Sequence, residues 1–170
     1  NITIWNTQLK KIITNINHDS IKHTCSLLHN NLLYLGINRQ NVKLILNPTF
    51  VPEILEKAEK PIKDDWVQNS KEPIILTIGR LSSQKNISLL IDSFVELLNL
   101  KKCKLLIIGD GPERNKLESK VNSMNLSGKI KFLGFSSNPY KYFKYCSVFT
   151  LTSKFEGLPN VLIESQALGL

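Results

Sequence analysis

An α/β fold, a Rossmann-like parallel sheet flanked by helices, is predicted by three observations. Short apolar runs alternate with amphipathic stretches over most of the chain. A glycine stands directly after three of the last four runs, at Gly79, Gly109 and Gly134. The hydrophobic fraction of 42% is enough to fill a core. Strands and helices alternating at this spacing form right-handed βαβ units, and those units build a parallel sheet.

The first part contains one strand–helix–strand unit. Lys11 to Asn15 is a short apolar strand candidate. Ser20 to Leu35 aligns Ile21, Leu28, Leu32 and Leu35 on one helical face, and Gly36 is a stop signal. Val42 to Leu46 reads as a strand that Asn47-Pro48 breaks. Thr49 to Glu72 is charged and punctuated by Pro52 and Pro61, so it reads as a connector with little core. The predicted division is therefore the end of a preceding domain (1–47), a connector (48–73) and a second, incomplete domain (74–170).

The second domain is regular. Ile74 to Ile78 is a buried strand, and Asn86 is placed to N-cap a helix carrying Ile87, Leu90, Ile91, Phe94 and Leu98. Leu105 to Ile108 is the next strand, followed by a helix from Glu113 to Met124 that aligns Leu117, Val121 and Met124. Ile130 to Leu133 and Val148 to Leu151 are the last strands, with a short helix opened by Asn138-Pro139 between them. Pro159 suits the first turn of the final helix, and Gly169 lies near its end.

Charge and cysteines narrow the function classes. A net charge of +8 can attract phosphorylated ligands or anionic lipid, but the lysines are dispersed. No finger, basic zipper or aromatic RNA-binding signature is present, which argues against nucleic acid. Cys25, Cys103 and Cys146 are odd in number and far apart, as expected of free thiols in a reducing cytoplasm. No run of about 18 apolar residues spans a membrane. His18, His23 and His29 have no ligand spacing and read as surface residues.

Ligands of such sheets sit beyond the carboxyl ends of the strands. There the sequence collects Gly79-Arg80, Gly109-Asp110-Gly111, Gly134-Phe135 and Thr152 to Pro159. The glycines either make tight turns or let backbone approach a ligand. Arg80 and Lys85 flank the start of a helix, two cations beside a helix N-terminus being suited to a phosphorylated ligand. Glu156 lies in the last loop and Glu164 just over a turn into the final helix, where both can face a cleft and accept from sugar hydroxyls.

The ordered blocks GRLSSQKNISLLIDSF, LLIIGDGPERNKLE, IKFLGFSSNPYKYF and LTSKFEGLPNVLIESQALG resemble family 4 retaining glycosyltransferases of the GT-B fold. Glu156 and Glu164 match that family's Glu-x7-Glu motif. Bacterial enzymes of cell-surface polysaccharide and glycolipid assembly are the subgroup it most resembles. The resemblance implies a nucleotide-sugar donor, a UDP-sugar, and a glycan or lipid-linked acceptor. It also implies metal-free transfer with retention, and work in the cytoplasm with room for peripheral contact with the inner membrane. By the same resemblance Arg80 and Lys85 hold the donor diphosphate, and Gly134-Phe135 lies along the base. Glu164 binds ribose, Glu156 contacts the transferred sugar, and Gly157, Leu158, Pro159 and Asn160 offer backbone amides to the phosphates. The family continues beyond Gly169-Leu170 and has a further domain before this one, so the chain is expected to be incomplete at both ends. Two other readings stand beside this one. A dinucleotide-dependent oxidoreductase lacks its G-x-G-x-x-G signature here, because Gly109-x-Gly111 runs on into Pro112, Glu113 and Arg114. A non-catalytic nucleotide-sugar-binding remnant of a broken gene is the other.

Overall fold

The computed structural model describes residues 3–5, 52–156 and 159–170. The readings at Lys11–Asn15, Ser20–Leu35, Val42–Leu46, Asn47-Pro48, the three histidines and Cys25 lie outside the described residues.

Four parallel strands form the body of the sheet: β2 (Ile74–Ile78), β3 (Lys104–Ile108), β4 (Ile130–Gly134) and β5 (Val148–Leu151). A short β1 (Thr3–Trp5) pairs antiparallel with β5, giving the order β1-β5-β2-β3-β4. The predicted strands at Ile74–Ile78 and Val148–Leu151 appear with those bounds. β3 gains Lys104, and β4 takes in Gly134.

β3 shows why the sheet is central. Leu105, Leu106, Ile107 and Ile108 are all buried, because a strand packed on both faces needs apolar residues at both phases of its period-two pattern. Leu105 and Ile107 point into one cluster with Ile87, Leu90, Ile91 and Phe94 of α3 (Ile87–Leu98) and Leu117 and Val121 of α4 (Arg114–Ser123). Leu106 and Ile108 point into the opposite cluster with Ile74, Leu76, Phe143 and Phe149.

The opposite cluster corrects the reading of residues 49–72 as a connector with little core. This segment folds into α1 (Glu53–Ala58) and α2 (Asp65–Gln68). Ile54, Ala58, Ile62 and Val67 are all buried, and Ile62 and Val67 sit in the second cluster beside Tyr142 and Phe143 of a 3-10 helix (Tyr140–Tyr145). Charges dock the same segment. Lys131 bridges Asp64 at 2.8 Å and Lys129 bridges Glu72 at 2.7 Å. Lys104 stands 4.6 Å from the Trp66 ring and donates to its carbonyl at 3.1 Å. Part of the positive charge is thus spent on the protein's own acids and aromatic faces.

A second correction concerns Asn86. The helix it precedes is present, but Asn86 adopts a left-handed conformation with φ of 52° and its side chain caps nothing. The turn before it, closed by bonds from Lys85 and Asn86 N–H to the Ser82 carbonyl, leaves the residue in that region, which asparagine tolerates.

Candidate functional site

All four parallel strands end at one edge. Between β3 and β4 the register slips by a residue, so that Ile107 faces Phe132 but Ile108 faces Gly134. Such a bulge bends the strand and redirects the residues beyond it. The Gly109 N–H then donates to the Gly134 carbonyl at 2.8 Å, and the Gly79 N–H to the Ile108 carbonyl at 3.0 Å. The strand-end glycines therefore meet one another.

Two of those glycines have a structural reason to be there. Gly109 has φ of 139°, and a Cβ on it would fall on the carbonyl oxygen of Gly79. A Cβ on Gly111 would strike the backbone of Leu81. The two loops are pressed together and stitched by Leu81 N–H to the Asp110 carbonyl at 2.9 Å and Glu113 N–H to the Leu81 carbonyl at 3.0 Å. Close approach is real at these positions, and the partner seen is backbone.

This edge holds a cleft of about 390 Å³ walled by Ile78, Gly79, Arg80, Ile108, Gly109, Asp110, Phe135, Ser136 and Pro139. Arg80 is exposed there, and Phe135 presents a ring that is 81% exposed. Asp110 is held from two sides, by the Gly111 N–H at 2.7 Å and by Arg114 at 3.0 Å. Those bonds, the backbone one first, hold its carboxyl below the usual carboxylate range.

Lys85 runs under Gly79 and ends on Glu156, with which it forms an ion pair and hydrogen bond. The side chains are about four-fifths buried, at 20% and 21% exposure. Burial pushes the Glu156 carboxyl up, but hydrogen bonds from Lys85 and Ser153, with the charge of Lys85, outweigh it and the net shift is downward. The fold thus joins two residues that the sequence separates by 71 positions.

Glu164 lies elsewhere, on α5 (Asn160–Ala167), half-buried and facing the hydroxyl of Tyr140. The Tyr140 hydroxyl is pushed up, by burial first and then by the negative charge of Glu164. Tyr140 follows Pro139, a residue of the cleft wall, and Glu164 is not itself among the residues that wall the cleft. The two glutamates are therefore divided between two partners, Lys85 and Tyr140. Gly157 and Leu158 lie outside the described residues. Pro159 is the residue before α5 and carries no N–H, so the expectation of an amide from it fails on covalent grounds. Asn160 opens the helix and is exposed.

Neither Gln84 nor Tyr140 stands out in the sequence. Gln84 donates to the Phe155 carbonyl at 3.1 Å, a contact between distant loops that carries no local pattern. Tyr140 sits in an aromatic run that reads as core.

Comparison with known proteins places this edge in context. A family model described as glycosyl transferases group 1 matches residues 58–170. The chain is 43% identical over 132 residues to an N-acetylgalactosamine-N,N'-diacetylbacillosaminyl-diphospho-undecaprenol 4-alpha-N-acetylgalactosaminyltransferase of Campylobacter jejuni, covering 78% of this chain and 34% of that protein. It is 32% identical over 134 residues to an uncharacterized glycosyltransferase of Methanocaldococcus jannaschii, covering 78% and 33%. Among solved structures, a glycosyltransferase from Rickettsia africae superposes with a TM-score of 0.62 at 21% identity, over 84% of this chain and 40% of that one. Anabaena HepE, solved in complex with UDP, gives 0.59 at 19% identity, over 82% and 40%. The expected Rossmann-like sheet of GT-B glycosyltransferases is the fold observed. The chain spans about a third of the length of the curated relatives it matches. On the family match over residues 58–170, and on a 43% identical relative, the chain belongs to the glycosyl transferases group 1.

Proposed function

We propose that this chain carries the nucleotide-sugar-binding part of a retaining, family 4 type glycosyltransferase, which moves a sugar from a UDP-sugar to a glycan or lipid-linked acceptor. The observation that carries the reading is the Lys85–Glu156 pair beside Gly79 and Arg80 at the strand ends. A cation and an acid held together at a sheet's carboxyl edge suit a substrate that is diphosphate at one end and sugar at the other. The names of relatives lend support, one acting on a diphospho-undecaprenol-linked sugar and another solved with UDP. Acceptors of that kind fit work at the cytoplasmic face of the inner membrane, with peripheral contact.

The chemistry rests on charge. Breaking the bond between sugar and phosphate leaves negative charge on the diphosphate, and groups already aimed at that charge lower the barrier most. Arg80 is exposed to the cleft and can grip two phosphate oxygens. Lys85 is held ready by Glu156, so an arriving diphosphate shares its ammonium with that carboxylate. Glu156 then contacts the transferred sugar, while Glu164 accepts from the ribose hydroxyls and Gly134-Phe135 lies along the base. Gly157, Leu158 and Asn160 add backbone N–H donors. With two cations supplied by the chain, transfer needs no divalent ion. Sugar configuration is retained.

A thermal-shift comparison of nucleoside diphosphates on the complete protein tests this. UDP or a UDP-sugar is expected to raise the midpoint most, and GDP less, since a ligand stabilises the folded state in proportion to the logarithm of its concentration over Kd. Equal stabilisation by ADP, GDP and UDP would count against it.

A further inference from the structure

We infer that Gln84 is a positioning residue, whose two bonds to the loop after β5 bring Glu156 onto Lys85. The inference rests on the proposed role of that pair and extends it to a residue that is not among those walling the cleft.

Gln84 makes a reciprocal contact. Its backbone carbonyl accepts from the Lys154 N–H at 2.8 Å, and its Nε2 donates to the Phe155 carbonyl at 3.1 Å. One residue therefore holds the chain at both 154 and 155. The next residue on each strand of this contact is a member of the ion pair, Lys85 after Gln84 and Glu156 after Phe155. A third bond supports the same junction. The buried Thr152 hydroxyl lies 3.1 Å from the Lys85 carbonyl and 3.2 Å from that of Asn86. The β5 loop is thus docked on the loop before α3 by bonds at positions 152, 154 and 155, just before Glu156.

The geometry separates Gln84 from a general structural support. Lys85 is fixed by its own turn, its N–H donating to the Ser82 carbonyl at 3.0 Å. Glu156 has no such turn among the described backbone bonds, and its carboxyl is held by Lys85 and Ser153. On the inferred role, losing the amide of Gln84 loosens the backbone at 155 beside Glu156, while the turn that holds Lys85 stays in place. Because the Lys154 bond uses the backbone carbonyl, it survives any substitution at position 84, and the fold has reason to survive too.

The test is Gln84→Met, which keeps the length of the side chain and removes the donor, made in the complete enzyme with and without Glu156→Gln. The Glu156 carboxyl is followed by NMR titration, alongside UDP binding, turnover with a UDP-sugar and the thermal midpoint. In Gln84→Met, Glu156 is expected to titrate closer to the ordinary value of about 4.3. Turnover should fall about three- to tenfold, the range of one lost hydrogen bond, with UDP affinity within about threefold of the parent. In the Glu156→Gln background the added loss should vanish, since the group being positioned is gone. An unmoved Glu156 titration in Gln84→Met overturns the inference, as does a turnover loss that persists undiminished in that background. If Glu156→Gln alone turns over like the parent, the proposed function is what fails, and the carboxyl titration still decides the role of Gln84.

Discussion

Lys85 and Glu156 meet because two loops are docked, and each then changes what the other can do. The downward shift of the Glu156 carboxyl has a definite sign for stability. A group whose folded value lies below its unfolded one stabilises the fold above the unfolded value, about 4.3, and loses that contribution as pH falls through the lower folded value. Lys85→Ala is expected to move the Glu156 titration upward in an NMR experiment, since it deletes the hydrogen bond and charge of Lys85 and leaves burial, which raises it, opposed by Ser153 alone. In the complete enzyme, Arg80→Ala or Lys85→Ala should reduce turnover by about 100- to 1,000-fold, the range for removing a group aimed at developing charge. Effects below about threefold for both would take them out of the site. The two glutamates should separate cleanly. UDP carries ribose and no sugar, so Glu164→Gln should weaken UDP binding by about 10- to 150-fold while Glu156→Gln leaves it alone and lowers turnover. Isothermal titration of both variants checks the assignment, and a reversed pattern would reverse the roles.

The connector is the element whose character the structure changed most. From its prolines and charges, residues 49–72 look like a tether. In the fold, Ile62 is 3% exposed and Val67 2%, and both close the sheet face opposite α3 and α4. Apolar residues spaced as Ile54, Ala58, Ile62 and Val67 are few enough to be read as incidental, and only the face they cover gives them a purpose. Ile62→Ala should therefore cost about 2–5 kcal/mol in a urea melt, as for a buried branched side chain. Leu100→Ala, at a position 85% exposed, should stay within about 0.5 kcal/mol. Equal midpoints for the two would mean that the segment is a tether after all.

At the level of the whole molecule, the strand ends of this chain hold the cleft that the proposed function makes one side of a donor site. The matched stretch covers about a third of each relative, and this edge leaves Phe135 at 81% and Phe155 at 68% exposure. Because its match covers about a third of each relative, the 170-residue chain assayed alone is expected to transfer no sugar from UDP-sugars. A soluble monomer that transfers would overturn this. In the complete enzyme, activity should persist in excess chelator. Loss restored by manganese would show that Arg80 and Lys85 do not carry the charge alone.

The strands and the site residue types are legible along the chain, because both are short-range signals. A run such as Ile74 to Ile78 is apolar at both phases wherever it is placed, and glycine after a strand marks a turn whatever the turn touches. The blocks around Arg80, Gly109, Gly134 and Glu156 point to one sheet edge, and a cleft walled in part by Arg80, Gly109 and Phe135 opens there. The hidden features depend on partners far off in sequence. The Asn86 side chain is suited to cap a helix, but a docked turn puts its backbone in the left-handed region. Gly109 and Gly111 are open to a ligand explanation, but the backbone of residues 79–81 occupies the space a Cβ would need. Glu156 and Glu164, alike in the motif, are parted by Lys85 and Tyr140, and Gln84 acquires its meaning only where the β5 loop folds back on it. Local periodicity and composition specify which segments become strands and helices. Burial, hydrogen-bond partners and charge pairing are properties of surfaces brought together by the chain's long-range closure, and no local stretch of sequence encodes them.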